Sequence, residues 1–220
     1  MQCLNCQRRM TSKSLFSNIF ILKKEKDGVC QECQVAFERI SNDHCPYCYK
    51  DGNKTICHDC QIWLTRGYDV QHKALYTYNQ AMKDYFSRFK FQGDYLLAGL
   101  FSSDLRQCLK AYKDYTIVPI PLSNNRLKTR QFNQVESLLE KSGIRYLSLL
   151  TKIESQAQSS KTREERLATT QPFRIKETQT LPSKILLIDD IYTTGTTIFL
   201  AHQKLKEHGV EEIISFSLAR

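Results

Sequence analysis

Eight of the nine cysteines in this 220-residue chain precede residue 61, in four Cys-x-x-Cys pairs: Cys3/Cys6, Cys30/Cys33, Cys45/Cys48 and Cys57/Cys60. Two thiolates at that spacing grip one side of a tetrahedral Zn²⁺ at about 2.3 Å, and a second pair closes the shell. Four pairs therefore predict two closed structural sites. Pairing in chain order puts Cys3, Cys6, Cys30 and Cys33 around one ion and Cys45, Cys48, Cys57 and Cys60 around the other. A cross-braced arrangement, the first pair with the third, also stays open at this point. A redox Cys-x-x-Cys or a disulfide framework would use the same residues, but the repetition argues against both. About sixty residues poor in large aliphatics bury little surface, and zinc supplies on the order of 10–16 kcal/mol to such modules. His44 and His58 stand beside ligand cysteines and could substitute in a shell, but with all four pairs present the simpler expectation is that they are bystanders.

The start, Met-Gln-Cys-Leu-Asn-Cys, lacks the apolar core of a secretory leader, so the expected compartment is the reducing cytosol. No apolar run reaches the length of a membrane span. Association with the inner face of the membrane is expected only through partners.

A second stretch decides the class of the remaining chain. Ile185 to Thr197 reads Ile-Leu-Leu-Ile-Asp-Asp-Ile-Tyr-Thr-Thr-Gly-Thr-Thr. Four consecutive aliphatics after Pro182 predict a strand buried on both faces, with Asp189 and Asp190 where it emerges. Thr193, Thr194, Gly195, Thr196 and Thr197 then open a helix over Ile198 to Glu207. Backbone N–H groups at a helix N-terminus, with hydroxyls beside them and a glycine allowing close approach, make an anion cradle. A plain strand-turn-helix capped by threonines would also give such a loop, but it has no need of both acids. No Gly-Lys-Ser/Thr follows, which excludes a Walker A loop, and the spacing is not that of a dinucleotide fingerprint. The pattern resembles the 5-phosphoribosyl-1-pyrophosphate (PRPP) motif of type I phosphoribosyltransferases. The resemblance implies that Thr193 to Thr197 hold a 5-phosphate and that Asp189 and Asp190 orient ribose hydroxyls, directly or through Mg²⁺.

Composition shifts at Gly67, predicting a cysteine-rich zinc-binding module over 1–66 and an α/β, phosphoribosyltransferase-like domain over 67–220 with a parallel sheet flanked by helices. Trp63 is expected at the seam between them. Before it, Phe16, Ile19, Phe20, Ile21 and Leu22 beside Lys23, Lys24 and Lys26 suggest a hairpin or a short partner-binding helix, or simply an exposed loop. Lys73 to Tyr78 predicts a strand, Gln80 to Phe89 a helix, and Asp94 to Tyr112 a longer helix with Cys108 as a small core residue. For Tyr76, Tyr78, Tyr85, Phe86, Phe89, Phe91 and Tyr95, interleaved with Lys83, Arg88 and Lys90, core packing is the simpler reading and a base-stacking platform for single strands the other. Thr116 to Ile120 is a second short strand, followed by Arg126, Lys128 and Arg130. Asn133 to Lys141 reads as a helix, Tyr146 to Leu149 as a strand, and Ile213 to Phe216 as the strand that completes the sheet. The polar stretch Glu154 to Thr170, with Gln158, Ser159, Lys161, Arg163 and Arg166, reads as a functional loop or linker.

Val118-Pro-Ile-Pro-Leu122, the following Arg130-Gln131-Phe132-Asn133-Gln134, the cysteine pairs and the PRPP motif together resemble the ComF family over essentially the full length. That family usually has Arg-Gly-Phe-Asn-Gln, and here Gln131 replaces the glycine. In type I phosphoribosyltransferases the loop after the first core strand contacts pyrophosphate, a task that suits Arg126, Lys128 and Arg130; a solvated basic turn is the plain alternative. The ComF resemblance implies help in bringing transforming single-stranded DNA through the membrane channel in natural transformation, beside a ComFA-like ATP-dependent helicase. A formal charge of +9 suits contact with such a polyanion. The alternative is a Mg²⁺-dependent transferase that moves ribose 5-phosphate from PRPP to an acceptor the sequence does not name.

Overall fold

The elements run α1 (Gln31–Ala36), α2 (His58–Thr65), β1 (His72–Tyr76), α3 (Gln80–Phe91), α4 (Ser102–Leu109), β2 (Thr116–Pro119), α5 (Asn124–Arg130), α6 (Gln134–Lys141), β3 (Leu150–Lys152), β4 (Phe173–Ile175), β5 (Lys184–Ile191), α7 (Thr196–Lys206) and β6 (Glu212–Ala219). They come from a computed structural model that describes residues 2–10, 28–154, 171–176 and 180–220. The basic-apolar stretch Phe16 to Lys26 and the loop residues Gln158, Ser159, Lys161, Arg163 and Arg166 lie outside the described residues.

Four strands form one sheet in the order β1-β6-β5-β2, with every neighbouring pair parallel. The register aligns Val118 with Leu187, Leu187 with Ser215, and Ser215 with His72. Strand side chains alternate between faces, so the aliphatic run at Ile185 feeds both. Leu186, Ile188, Phe216 and Leu218 pack against α3, α4 and α6, together with Cys3 and Cys33. Val118, Ile185, Leu187 and Ile213 face the other way, against α7 and the antiparallel β3–β4 pair, together with Cys45, Cys48, Cys57 and Cys60. Continuous apolar strands are what a parallel sheet covered on both sides demands. Each face thus carries one of the two cysteine groups.

The structure departs from expectation in three places. The stretch Asp94 to Tyr112 is not one helix: a 3-10 turn (Tyr95–Gly99), α4 and a second 3-10 turn (Lys110–Tyr112) share it. Gly99 disfavours helix continuation, and Ser102 and Ser103 favour a helix start. Tyr146 to Leu149 is not a strand; it makes a backbone bond from Leu147 N–H to the Ile117 carbonyl (2.9 Å), and the strand begins at Leu150. Arg126, Lys128 and Arg130 lie on a helix, α5, rather than in a loop. The last strand, β6, completes the sheet from a central place, between β1 and β5. Among the described residues no helix is long and apolar enough to cross a membrane.

Candidate functional site

Two neighbouring strands send their chains to opposite faces. From β2 the chain passes through α6, whose Val135, Leu138 and Leu139 join the first core; from β5 it passes through α7, whose Ile198, Ala201 and Leu205 join the second. In open α/β sheets such a divergence leaves a crevice beyond the carboxyl ends of the strands, where ligands bind. A cleft of about 230 Å³ opens there. Its walls include Asp189, Asp190, Thr193 and Thr197 from the β5–α7 side, and Arg126, Arg130 and Asn133 from the chain after β2. Lys90 and Lys152 complete the cationic lining.

The two acids differ. Lys90 Nζ lies 2.7 Å from Asp190 Oδ2, with both side chains nearly enclosed at 13% and 14% exposure, so Asp190 has a shielded counter-ion. Asp189 accepts the backbone N–H of Asp190 at Oδ1 (2.8 Å). Burial first and the charge of Asp190 second push its carboxyl up to about 7, against the opposing pull of that N–H, Lys90 and Lys152. Burial also pushes Lys152 and Arg130 below their ordinary values, and in Lys152 the charge of Arg126 adds to it. The cleft therefore holds crowded positive charge that an anion would relieve.

The Thr/Gly loop is shaped from beneath. Gly195 caps α7 at φ +84°, a left-handed conformation, and a Cβ there would stand 2.2 Å from the Tyr192 hydroxyl. Tyr192 is itself stacked on His72 (ring centroids 4.0 Å), whose two nitrogens meet the hydroxyls of Ser215 and Ser217 at 2.9 Å each. Thr194 Oγ1 and Thr196 Oγ1 pair at 3.0 Å. Thr193 and Thr197 reach the cleft wall; Thr194, Gly195, Thr196 and the exposed Lys128 are not part of it.

The cysteines gather in chain order: Cys3, Cys6, Cys30 and Cys33 in one group, Cys45, Cys48, Cys57 and Cys60 in the other, each with its sulfurs within 4.8 Å of one another. The cross-braced arrangement is thereby set aside. A zinc tetrahedron with 2.3 Å bonds has edges of about 3.8 Å. The measured contacts are Cys6–Cys30 at 3.6 Å, Cys48–Cys57 at 3.5 Å and Cys45–Cys60 at 3.9 Å. These spacings suit four thiolates around an ion, and all nine cysteines are free thiols. Backbone N–H groups also reach the sulfurs, from Cys30 to Cys3 (3.3 Å) and from Cys57 to Cys45 (3.4 Å).

Competence protein ComFC of Streptococcus pneumoniae is 50% identical over 220 residues, covering 100% of both chains. The chain belongs to the ComFC family of competence proteins. Competence protein ComFC of Bacillus subtilis is 35% identical over 227 residues, covering 99% of this chain and 94% of the relative. Competence protein F of Haemophilus influenzae is 26% identical, covering 89% and 91%. No protein-family model matches. A solved hypoxanthine phosphoribosyltransferase from Staphylococcus aureus overlaps 56% of this chain and 63% of its own, at 17% identity and a TM-score of 0.34.

In this ComFC-family chain Gln131 adopts φ +68°, left-handed, as the residue that ends α5. That conformation is one usually left to glycine. Gln131 holds it with its N–H on the Leu127 carbonyl (2.8 Å) and its side-chain amide on the Lys128 carbonyl (2.6 Å). Lys90 entered the sequence reading only as a cation among the aromatics, not as the partner of Asp190, and Lys152, on a three-residue strand, escaped it. Of the seven aromatics considered for stacking, Tyr76, Tyr85, Phe86 and Phe89 are buried in the core, while Phe91 stays 73% exposed.

Proposed function

We propose that this ComFC-family chain acts in competence by holding transforming single-stranded DNA on its way into the cell, at the cytoplasmic face and beside a ComFA-like helicase. In this reading residues 1–66 are a zinc-binding module and 67–220 carry the phosphate-binding cleft. The observation that supports it best is the lining of Lys90, Arg126, Arg130 and Lys152 in the same cleft as Thr193 and Thr197, with Arg130 and Lys152 pushed down by burial and by the charge of Arg126. Such a site suits a sugar-phosphate, whether in a strand backbone or in PRPP. Affinity for single-stranded oligonucleotides should fall with salt at a log–log slope of about 0.7 per phosphate neutralised. The Arg126→Ala, Arg130→Ala pair should flatten that slope by about one to two units. Binding indifferent to salt, or none, would sink the proposal.

The acid pair favours a second reading, PRPP binding with Mg²⁺ and transfer of ribose 5-phosphate. Asp189 and Asp190 would hold the ribose hydroxyls or the cation, and Thr193 to Thr197 the 5-phosphate, with catalysis by positioning and charge stabilisation. Calorimetry with PRPP and Mg²⁺ tests the binding, and pyrophosphate release lost in the Asp189→Ala, Asp190→Ala pair tests the transfer. Tight PRPP binding without DNA binding would favour this reading over the first.

A further inference from the structure

The loop and the second cysteine group are joined by side chains that neither the PRPP motif nor the cysteine spacing includes. Arg220 is the main link. One arm of its guanidinium, Nη1, donates to the backbone carbonyls of Thr193 and Tyr192; the other, Nη2, donates to Cys48 Sγ (3.2 Å) and Asp59 Oδ2 (3.3 Å). The side chain is only 7% exposed, so its charge depends on those anionic partners. It also lies over the Tyr192 ring, 4.8 Å from the centroid, the same ring that blocks any side chain at 195.

Trp63 is the second link. Its helix, α2, starts at the residue after Cys57 and contains Cys60, so a metal held by those two thiolates fixes the helix. From it Trp63 Nε1 donates to the Thr194 carbonyl (2.8 Å), and the indole packs on Phe199 of α7 (ring centroids 4.7 Å). Two successive loop carbonyls, Thr193 and Thr194, thus point to groups anchored on the cysteine cluster. In a trans peptide the N–H opposes the carbonyl. Holding those carbonyls down turns the N–H groups of Thr194 and Gly195 the other way, as an anion nest requires.

We propose that the Cys45/Cys48/Cys57/Cys60 cluster, when metal-loaded, sets the shape of the Thr193 to Thr197 loop through Arg220 and Trp63, so that capture of a phosphorylated ligand depends on the integrity of that cluster. Arg220 and Trp63 are positioning residues. Metal held by the four thiolates would fix the position of Cys48 Sγ, and with it one acceptor of the guanidinium. The proposal rests on the reading above only in taking the loop as the ligand's seat.

The test measures two quantities on zinc-replete protein: affinity for ribose 5-phosphate by calorimetry, and hydrogen exchange at the amides of residues 193–197. Arg220→Ala should lower the affinity and speed that exchange by about tenfold each, within the usual range for coupled sites, while exchange in β5 and β6 is unchanged. Trp63→Phe, which keeps the ring and removes the donor, should do the same to a lesser degree. Arg220→Lys keeps the charge but loses the fork, so it should not restore loop protection. Cys48→Ser, with metal lost from that cluster alone, should match Arg220→Ala. Loop exchange unchanged in both Arg220→Ala and Trp63→Phe would overturn the coupling, as would a metal-depleted Cys48→Ser protein with native loop protection. If the parent protein ignores ribose 5-phosphate, the functional reading fails and the exchange data alone decide the coupling. Where Arg220→Ala does not fold, Trp63→Phe and Arg220→Lys decide it.

Discussion

At the scale of single residues, the cleft is tuned by one carboxyl and one missing side chain. Asp189 is held near 7, far above the unfolded carboxylate, so the folded state retains its proton where the unfolded chain has already lost it. Its contribution to stability is therefore full below about pH 4, declines as pH rises through the interval to 7, and is spent above that. Asp189→Asn should raise the unfolding free energy at pH 8 by on the order of 1–3 kcal/mol and leave it nearly unchanged at pH 4. Urea unfolding at the two pH values measures this, and equal effects at both would refute it. Gly195→Ala meets a positive φ and a buried Tyr192 hydroxyl at once. It should cost on the order of 1–3 kcal/mol in thermal unfolding and abolish ribose 5-phosphate binding.

At the scale of elements, what the sequence revealed was what short-range pattern encodes. The strand at Ile185, the helix after Gly195 and the strand at Thr116 each follow from a run of apolar residues and its punctuation. The four cysteine pairs carry their own spacing, though their grouping needed three dimensions. Other features depend on partners far away in sequence. Leu147 makes a backbone bond to Ile117 of β2, yet the stretch around it is not a strand, which nothing in its own pattern announces. Lys90 gains its meaning from Asp190, a hundred positions later, and nothing around it in α3 marks it out. Gln131 is marked in the sequence only by a family resemblance that expects glycine there, and the left-handed helix cap it forms shows only in three dimensions. Metal should bind these elements together: analysis should find about two zinc ions per chain, and one would mean an idle cluster. Stripping the zinc should lower the unfolding midpoint by on the order of 10 °C or remove its cooperativity, followed by near-ultraviolet circular dichroism of Trp63.

For the whole molecule, the sheet is clasped on both faces by segments from the first third of the chain. The first cysteine group is tied to α3 by Arg88, which donates to the carbonyls of Leu4 and Asn5 and pairs with Asp94 (2.8 Å). The second is tied to the loop across far longer stretches of chain: Trp63 meets Thr194 over 131 residues, and Cys48 meets Arg220 over 172. Contacts of such separation close late and slowly. Refolding from urea should therefore show zinc-thiolate formation, followed by cobalt absorption in cobalt-substituted protein, well before recovery of ribose 5-phosphate binding; simultaneous recovery would count against this order. On the ribosome the same geometry imposes a direction. A nascent chain can load its metal as soon as the cysteines emerge, but it has no seat for a phosphate until β6 and Arg220 arrive. On the proposed reading, capture of the ligand is thus withheld from a nascent chain until β6 and its links to the loop have formed.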